Sequence, residues 1–195
     1  MDRVVDNTVK QGITTDLSSV QIWDNLLDDR FLLDLDEESN LYNWNLNNGS
    51  NKNSFPYNKK GDHVFWGCHF TEKLPNNIKM LYDFIMKYVV EEPYKLNFTM
   101  VNGQSLGQHG KVHQDAVYNS GERTLMVFIN LKWQKEWGGE FQLLDGKDNE
   151  NSKIIKNIEY IPGRIVIFDG NIPHRGLAPT VPYVVRKSLV FRLSK

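Results

Sequence analysis

The stretch RTLMVFINLKWQKEWGGEFQLLDG, residues 123–146, sets the terms for the fold. Two runs rich in β-branched, aromatic and other apolar residues, RTLMVFINL and EFQLL, flank a tryptophan-bearing segment that ends in Gly138 and Gly139. Short apolar runs bounded by glycine read as strands joined by turns.

The same signal repeats on both sides. KLNFTMV upstream, and KIIKNIEYI, RIVIFD and YVVRKSLVFRL downstream, are further strand candidates, punctuated by DGKDNENS and IPG. Ahead of them lie two segments of helical periodicity. DNLLDDRFLLDLDEE offers Asp24 as a cap and apolar residues at Leu26, Leu27, Phe31 and Leu35, while Ile78, Leu81, Tyr82, Ile85, Met86 and Val89 recur at helical spacing. Residues 41–61, rich in Asn, Gly and Ser, read as a long loop between the helices. Two helical segments followed by a succession of strands predict an α+β domain, mainly β, built as a sandwich or jelly roll with the helices outside. Strand periodicity alone does not separate a jelly roll from an immunoglobulin-like sandwich. The expected division is a helical and loop part over about 1–93 and a strand-rich core over about 94–195, within one domain.

The chain has 195 residues, a formal net charge of -1 and 40% hydrophobic residues, which suits one soluble domain with a core that needs no disulfide staples. A single cysteine, Cys68, cannot form an internal disulfide and fits a reducing compartment. No apolar run approaches the roughly 20 residues of a membrane span, and MDRVVDNTVKQGITTD lacks a signal-peptide core, so the expected location is cytoplasmic. Near-neutral charge supplies no electrostatic footprint for duplex nucleic acid.

Chemistry enters at GQHGKVHQDAVY, residues 107–118. On a strand, His113 and Asp115 would point to one face, where an imidazole and a carboxylate can grip one cation. Four other histidines compete for the third position. His63 and His69 sit among aromatic neighbours with no nearby carboxylate arranged on the same strand face, and His109 lies among glycines that argue against a helical metal pair. His174 follows the run RIVIFDGNIPH at its end, past a turn marked by Gly170, Asn171 and Pro173. Two imidazoles and one carboxylate leave open positions on a metal, the signature of non-haem Fe(II) oxygenases, whereas a closed zinc site would want a fourth ligand.

Such an oxygenase needs an electron source, commonly a keto acid. Its distal carboxylate must meet a cation, and arginine is suited by permanent charge and a bidentate fork. In YVVRKSLVFRL, Arg186, Ser188, Val190 and Arg192 would share one strand face, with Lys187, Leu189 and Phe191 on the other. Arg186 is the candidate anchor. Arg192, six positions on, would project toward the same mouth, where it could pair with a substrate carbonyl or carboxylate.

His113-Gln114-Asp115, His174 and Arg186-Lys187-Ser188, in this order, resemble the HxD…H…R pattern of Fe(II)/2-oxoglutarate-dependent dioxygenases. TLMVFINLKWQKEWGGEF and IPGRIVIFDGNIPH are similar to the Gly-Gly-Glu and Pro-x-Gly-Arg segments of the prolyl 4-hydroxylase-like branch, and the likeness covers roughly residues 96–193. An isolated HxD is common by chance; the ordered set is specific.

The resemblance implies a double-stranded β-helix, or jelly roll, with helices bracing one sheet. It implies His113, Asp115 and His174 as Fe(II) ligands, Arg186 as receiver of the 2-oxoglutarate 5-carboxylate, and Thr124, Met126 and Phe128 as lining of the cosubstrate pocket. Related hydroxylases often supply a tyrosine hydroxyl to that carboxylate. Phe128 stands at the matching position here, leaving Ser188 or Asn102 to replace it. O2 is the second cosubstrate and ascorbate a candidate reductant. The 41–61 loop, Trp133 and Trp137 are candidates to cover the mouth, with Trp137 and Arg192 as substrate contacts. The implied activity is hydroxylation of a peptide or protein, with prolyl residues the leading target. Alternatives are another amino acid, a small molecule or a nucleobase, or a metal-binding module without turnover.

Overall fold

A computed structural model describes residues 15–17, 19–49, 64–71, 73–90, 92–117, 120–145 and 152–195. In chain order the elements are β1 (Thr15–Leu17), β2 (Val20–Trp23), α1 (Asp29–Ser39), β3 (Asn45–Gly49), β4 (Val64–Phe70), α2 (Asn76–Tyr88), β5 (Lys95–Gln104), β6 (Arg123–Phe128), β7 (Phe141–Leu144), β8 (Ile154–Ile158), β9 (Ile165–Asp169), β10 (His174–Gly176) and β11 (Arg186–Ser194). They form an eight-stranded antiparallel sheet of order β1-β2-β9-β6-β11-β5-β4-β3, faced by a three-stranded sheet of order β10-β7-β8. This is a jelly roll with two helices among the described residues, none long and apolar enough to cross a membrane.

Both faces of the large sheet are buried, which is why its central strands read as unbroken apolar runs. Leu125, Val127, Ile165, Ile167, Leu189 and Phe191 face Phe31 and Leu35 of α1 and Ile78, Leu81 and Ile85 of α2. Their alternates Met126, Phe128, Val166, Phe168 and Val190 face Phe141 and Leu143 of the small sheet. On β11 this alternation sends Arg186, Ser188, Val190 and Arg192 between the sheets and Lys187 under α1. The buried Lys187 ammonium donates to Asp36 Oδ1 at 2.7 Å and to Ser39 Oγ and Asn40 Oδ1 at 2.8 Å, fastening the end of α1 to the strand that carries Arg186.

Three expectations change: the stretch over about 1–93, expected to be helical and loop, also supplies β1, β2, β3 and β4 to the large sheet, and the other two concern the first helix and the 41–61 segment. The first helix begins at Asp29, capped by Asp28, whose carboxylate accepts from the Phe31 amide at 2.7 Å. Asp24 cannot cap, because it receives a bidentate pair from Arg164, Nε at 2.7 Å and Nη2 at 2.8 Å, and Asn25 beside it has φ 61°. The 41–61 segment contains a strand, β3, paired antiparallel with β4. Main-chain pairing at a sheet edge overrides the poor β propensity of its asparagines. Residues 50–61, and His63, lie outside the described residues.

Candidate metal centre

His113 and Asp115 do not lie on a regular strand, contrary to the expectation that a pleat aligns them. His113 makes a single antiparallel bridge with His174, with reciprocal amide-to-carbonyl bonds of 3.0 and 2.9 Å. The chain then bends so that the amides of Asp115 and Ala116 both donate to the Gly170 carbonyl, at 2.7 and 2.9 Å. Gly170 permits this approach: a Cβ there would lie 2.9 Å from that of Ala116. One main-chain bridge and one glycine therefore bring together residues about 60 positions apart in the sequence.

The metal-binding atoms of His113, Asp115 and His174 lie within 4.8 Å of one another, the one such cluster among the described residues. His113 Nε2 is 3.4 Å from Asp115 Oδ1, and His174 Nε2 is 3.6 Å from Asp115 Oδ2. Both Nδ1 atoms face main-chain carbonyls, Lys111 at 2.9 Å and Ile172 at 2.8 Å. A carbonyl accepts only from a protonated nitrogen, so each Nδ1 carries the hydrogen and each Nε2 presents a lone pair to the centre. Thr124 Oγ1 donates to Asp115 Oδ2 at 2.7 Å.

Electrostatics favour ligand over proton. Burial pushes His174 down to about 4, with the neighbouring His113 acting in the same direction against the attraction of Asp115. Burial alone would raise the Asp115 carboxyl. His174, His113 and the Arg192 guanidinium outweigh it and hold the carboxyl well below the usual carboxylate range.

Arg186, 1% exposed, sits at the other end of the same cavity. Its Nε donates to the Gly139 carbonyl at 2.7 Å, and Nη1 donates to Gln104 Oε1 at 2.9 Å and Ser188 Oγ at 3.2 Å. Nη2 is buried with no hydrogen-bond partner. Arg186 thus presents one nitrogen with two free hydrogens instead of the expected two-nitrogen fork. The guanidinium lies 5.2 Å above the Phe128 ring and 5.1 Å above Tyr160, and those rings stack at 4.4 Å. Burial lowers Arg186 to about 10, so it remains a cation at neutral pH.

Of the other expected residues, Asn102, Thr124, Met126 and Ser188 line the cavity. Phe128 does not; it lies fully buried beneath the arginine. Trp133 and Trp137 pack edge to face at 5.4 Å and do not reach the cavity lining. Trp133 Nε1 donates to the Gly138 carbonyl at 2.9 Å, so this pair buttresses the Gly-Gly turn whose next carbonyl holds Arg186. Arg192 does reach the cavity, but its guanidinium is engaged by Asp115. His109 Nδ1 accepts from the Ala178 amide at 3.1 Å, and His69 packs against Phe98, both away from the cluster.

Gln104 and Tyr160 were missed from sequence. The run KLNFTMV, with Asn102 continuing it, stops short of Gln104, the last residue of β5, and carrying its alternation two positions on from Asn102 reaches the residue. Tyr160 lies two positions beyond Ile158 on the same inward face. Its hydroxyl is 2.5 Å from both Asn130 Oδ1 and the Lys187 carbonyl, so it supports β11 instead of facing the cavity.

Two imidazole lone pairs and a carboxylate, with an unpaired buried guanidinium nitrogen across the cavity, suit a divalent cation chelated by a dicarboxylic keto acid, as in the non-haem iron oxygenases. Residues 96–191 match the 2OG-Fe(II) oxygenase superfamily, and by this segment the chain belongs to that superfamily. The fold is similar to a Pseudomonas putida prolyl-4-hydroxylase (TM-score 0.63, 13% identity, 91% of this chain and 92% of that one). It is also similar to a Trichoplax adhaerens prolyl hydroxylase in complex with a hypoxia inducible factor oxygen degradation domain peptide fragment (TM-score 0.62, 18% identity, 90% and 83%). The non-heme alpha ketoglutarate dependent epimerase SnoN from nogalamycin biosynthesis is a further structural relative (TM-score 0.66, 12% identity, 91% and 78%). No curated protein matches the chain by sequence.

Proposed function

We propose that the protein hydroxylates a C–H bond of a peptide or protein, with a prolyl residue as the leading target, using Fe(II), 2-oxoglutarate and O2. The observation that carries the cosubstrate assignment is Arg186 Nη2, buried and unpaired in the cavity that holds the His113, Asp115 and His174 cluster. When bound, iron and the keto acid supply the oxidation: one oxygen atom becomes the new hydroxyl and the other enters succinate, released with CO2.

The protein's part is binding and orientation. Nε2 of His113, Nε2 of His174 and the Asp115 carboxylate would hold the metal, each fixed by a second contact, to Lys111, Ile172 and Thr124 respectively. Arg186 would take the distal carboxylate through Nη2, with Ser188 beside it. Phe128 and Tyr160 keep water from the guanidinium and strengthen its attraction for an anion. The Arg192 guanidinium balances Asp115, and ascorbate would serve to keep the metal reduced.

The peptide reading draws support from the likeness to two prolyl hydroxylases, one of them in complex with a peptide. A small-molecule reading is favoured by the likeness to SnoN, whose reaction belongs to nogalamycin biosynthesis. Mass spectrometry of a proline-containing peptide panel after aerobic incubation with Fe(II) and 2-oxoglutarate tests the choice. A gain of one oxygen on proline supports the peptide reading. Succinate formation with no peptide modified contradicts it and directs the search to small molecules.

A further inference from the structure

We infer that Gln104 is a positioning residue that fixes which face of Arg186 meets a keto acid, by tying that arginine to the strand carrying His174. This rests on the reading of Arg186 as the carboxylate anchor. Gln104 is 3% exposed and ends β5, directly paired with Arg186 in the β5–β11 ladder. Its amide orientation is dictated by its neighbours. Nε2 donates to two main-chain carbonyls, Gln108 at 2.8 Å and Gly176 at 3.0 Å, so Oε1 has to face the guanidinium, where it accepts from Nη1 at 2.9 Å.

That single acceptor decides the arginine's geometry. Arg186 has five N–H hydrogens. Gly139 takes the one on Nε, and Gln104 and Ser188 take the two on Nη1, which leaves the pair on Nη2 for the cavity. Gln104 also spans the two sheets, since Gly176 closes β10 two residues after the metal-ligand candidate His174. The Gly176 carbonyl accepts from the Gly110 amide as well, at 2.8 Å, on the segment leading into His113. Gly176 has no room to be anything larger: a Cβ there would lie 2.9 Å from Gln104 Oε1 and 3.3 Å from Arg186 Nη1. One neutral side chain therefore connects the anion anchor to both histidine segments.

Neutrality matters as much as position. A carboxylate at 104 would form a charge-assisted pair with Nη1 and cancel the charge that an incoming dicarboxylate needs. Methionine has similar volume, accepts weakly and donates nothing, so it removes the strut without adding an anion.

The test is calorimetry under anaerobic conditions on the full-length protein, measuring Mn(II) affinity and then 2-oxoglutarate affinity of the Mn(II)-loaded form. Gln104→Met is expected to weaken 2-oxoglutarate binding several-fold and Gln104→Glu by roughly tenfold or more, with Mn(II) affinity within about threefold of wild type in both. Thermal melts accompany each variant. A purely structural role would make keto-acid affinity follow melting temperature, whereas here Gln104→Glu binds worse than Gln104→Met even where it melts no lower. Unchanged 2-oxoglutarate affinity in Gln104→Met, or parallel loss of Mn(II) and 2-oxoglutarate, overturns the inference, and the methionine variant decides it alone if the glutamate variant does not fold. Failure of the wild-type protein to bind 2-oxoglutarate would instead overturn the reading of Arg186 on which it rests.

Discussion

Arg192 holds Asp115 at two points, donating from Nη1 to its main-chain oxygen at 2.5 Å and from Nη2 to its carboxylate. With Thr124 on the other carboxylate oxygen, the Asp115 side chain is oriented by two adjacent strands of the large sheet, β11 and β6. Arg192 projects inward as strand alternation requires, yet its charge is taken up by Asp115, a candidate metal ligand.

Arg192→Ala should therefore destabilise the metal-free protein by about 1–2 kcal/mol, toward the low end because the guanidinium is partly exposed. It should also lower substrate-free decarboxylation of 2-oxoglutarate together with coupled turnover. Urea denaturation and a succinate assay with and without substrate check this. Loss confined to the coupled reaction would place Arg192 on the substrate instead.

Gly139 combines φ 81° with a space that a side chain cannot share: a Cβ would lie 2.9 Å from the Trp133 ring and 3.3 Å from Arg186 Cδ. Gly139→Ala should cost about 1–3 kcal/mol and raise the 2-oxoglutarate requirement, because the carbonyl that fixes Arg186 Nε must shift. Chemical denaturation and the apparent KM for 2-oxoglutarate measure the two effects. A wild-type KM in this variant would separate the Gly-Gly turn from the anchor.

Acid should weaken the metal-free protein in two windows. An unfolded His174 takes its proton near pH 6.5, while the folded one resists until about 4, so the unfolded chain binds more protons between those values. Stability is unaffected by this group above pH 6.5 and falls as pH drops toward 4, by roughly 3 kcal/mol at most for the shift. Asp115, depressed below its ordinary 3.8, adds a further loss below that pH, where the unfolded carboxylate protonates first. Denaturation midpoints across this range measure the effect, and His174→Gln should flatten the upper window. A flat wild-type profile from neutral pH to 4 would show that His174 titrates normally.

The β-rich core, both helices and the inward face of β11 were legible because they are periodic, and periodicity is a property of sequence. His113, Asp115 and His174 were legible as a set through residue type and order, although the pleated strand assumed for the first two is a bend anchored on Gly170. What escaped depends on partners distant in sequence. Asp24 looks like a cap until Arg164, 140 residues away, claims it. The asparagines of β3 look like loop until β4 pairs with them. Trp133 and Trp137 look like a lid, and only the three-dimensional packing turns them into a support for Gly138 and Gly139.

Anaerobic titration with Fe(II) and 2-oxoglutarate, followed by visible absorption, reads the metal centre and the keto-acid anchor together. A weak charge-transfer band should appear when both are present and be absent with either alone. Asp115→Ala should abolish it, because the carboxylate is both a ligand and the charge balance for the dication. Arg186→Lys, which keeps the charge but replaces the planar fork by donors on a single atom and so loses the separate Nε and Nη1 contacts to the Gly139 carbonyl and Gln104 Oε1, should show the band only at higher 2-oxoglutarate. A band of wild-type intensity in Asp115→Ala at the same Fe(II) concentration would contradict the assignment of His113, Asp115 and His174 as the metal site.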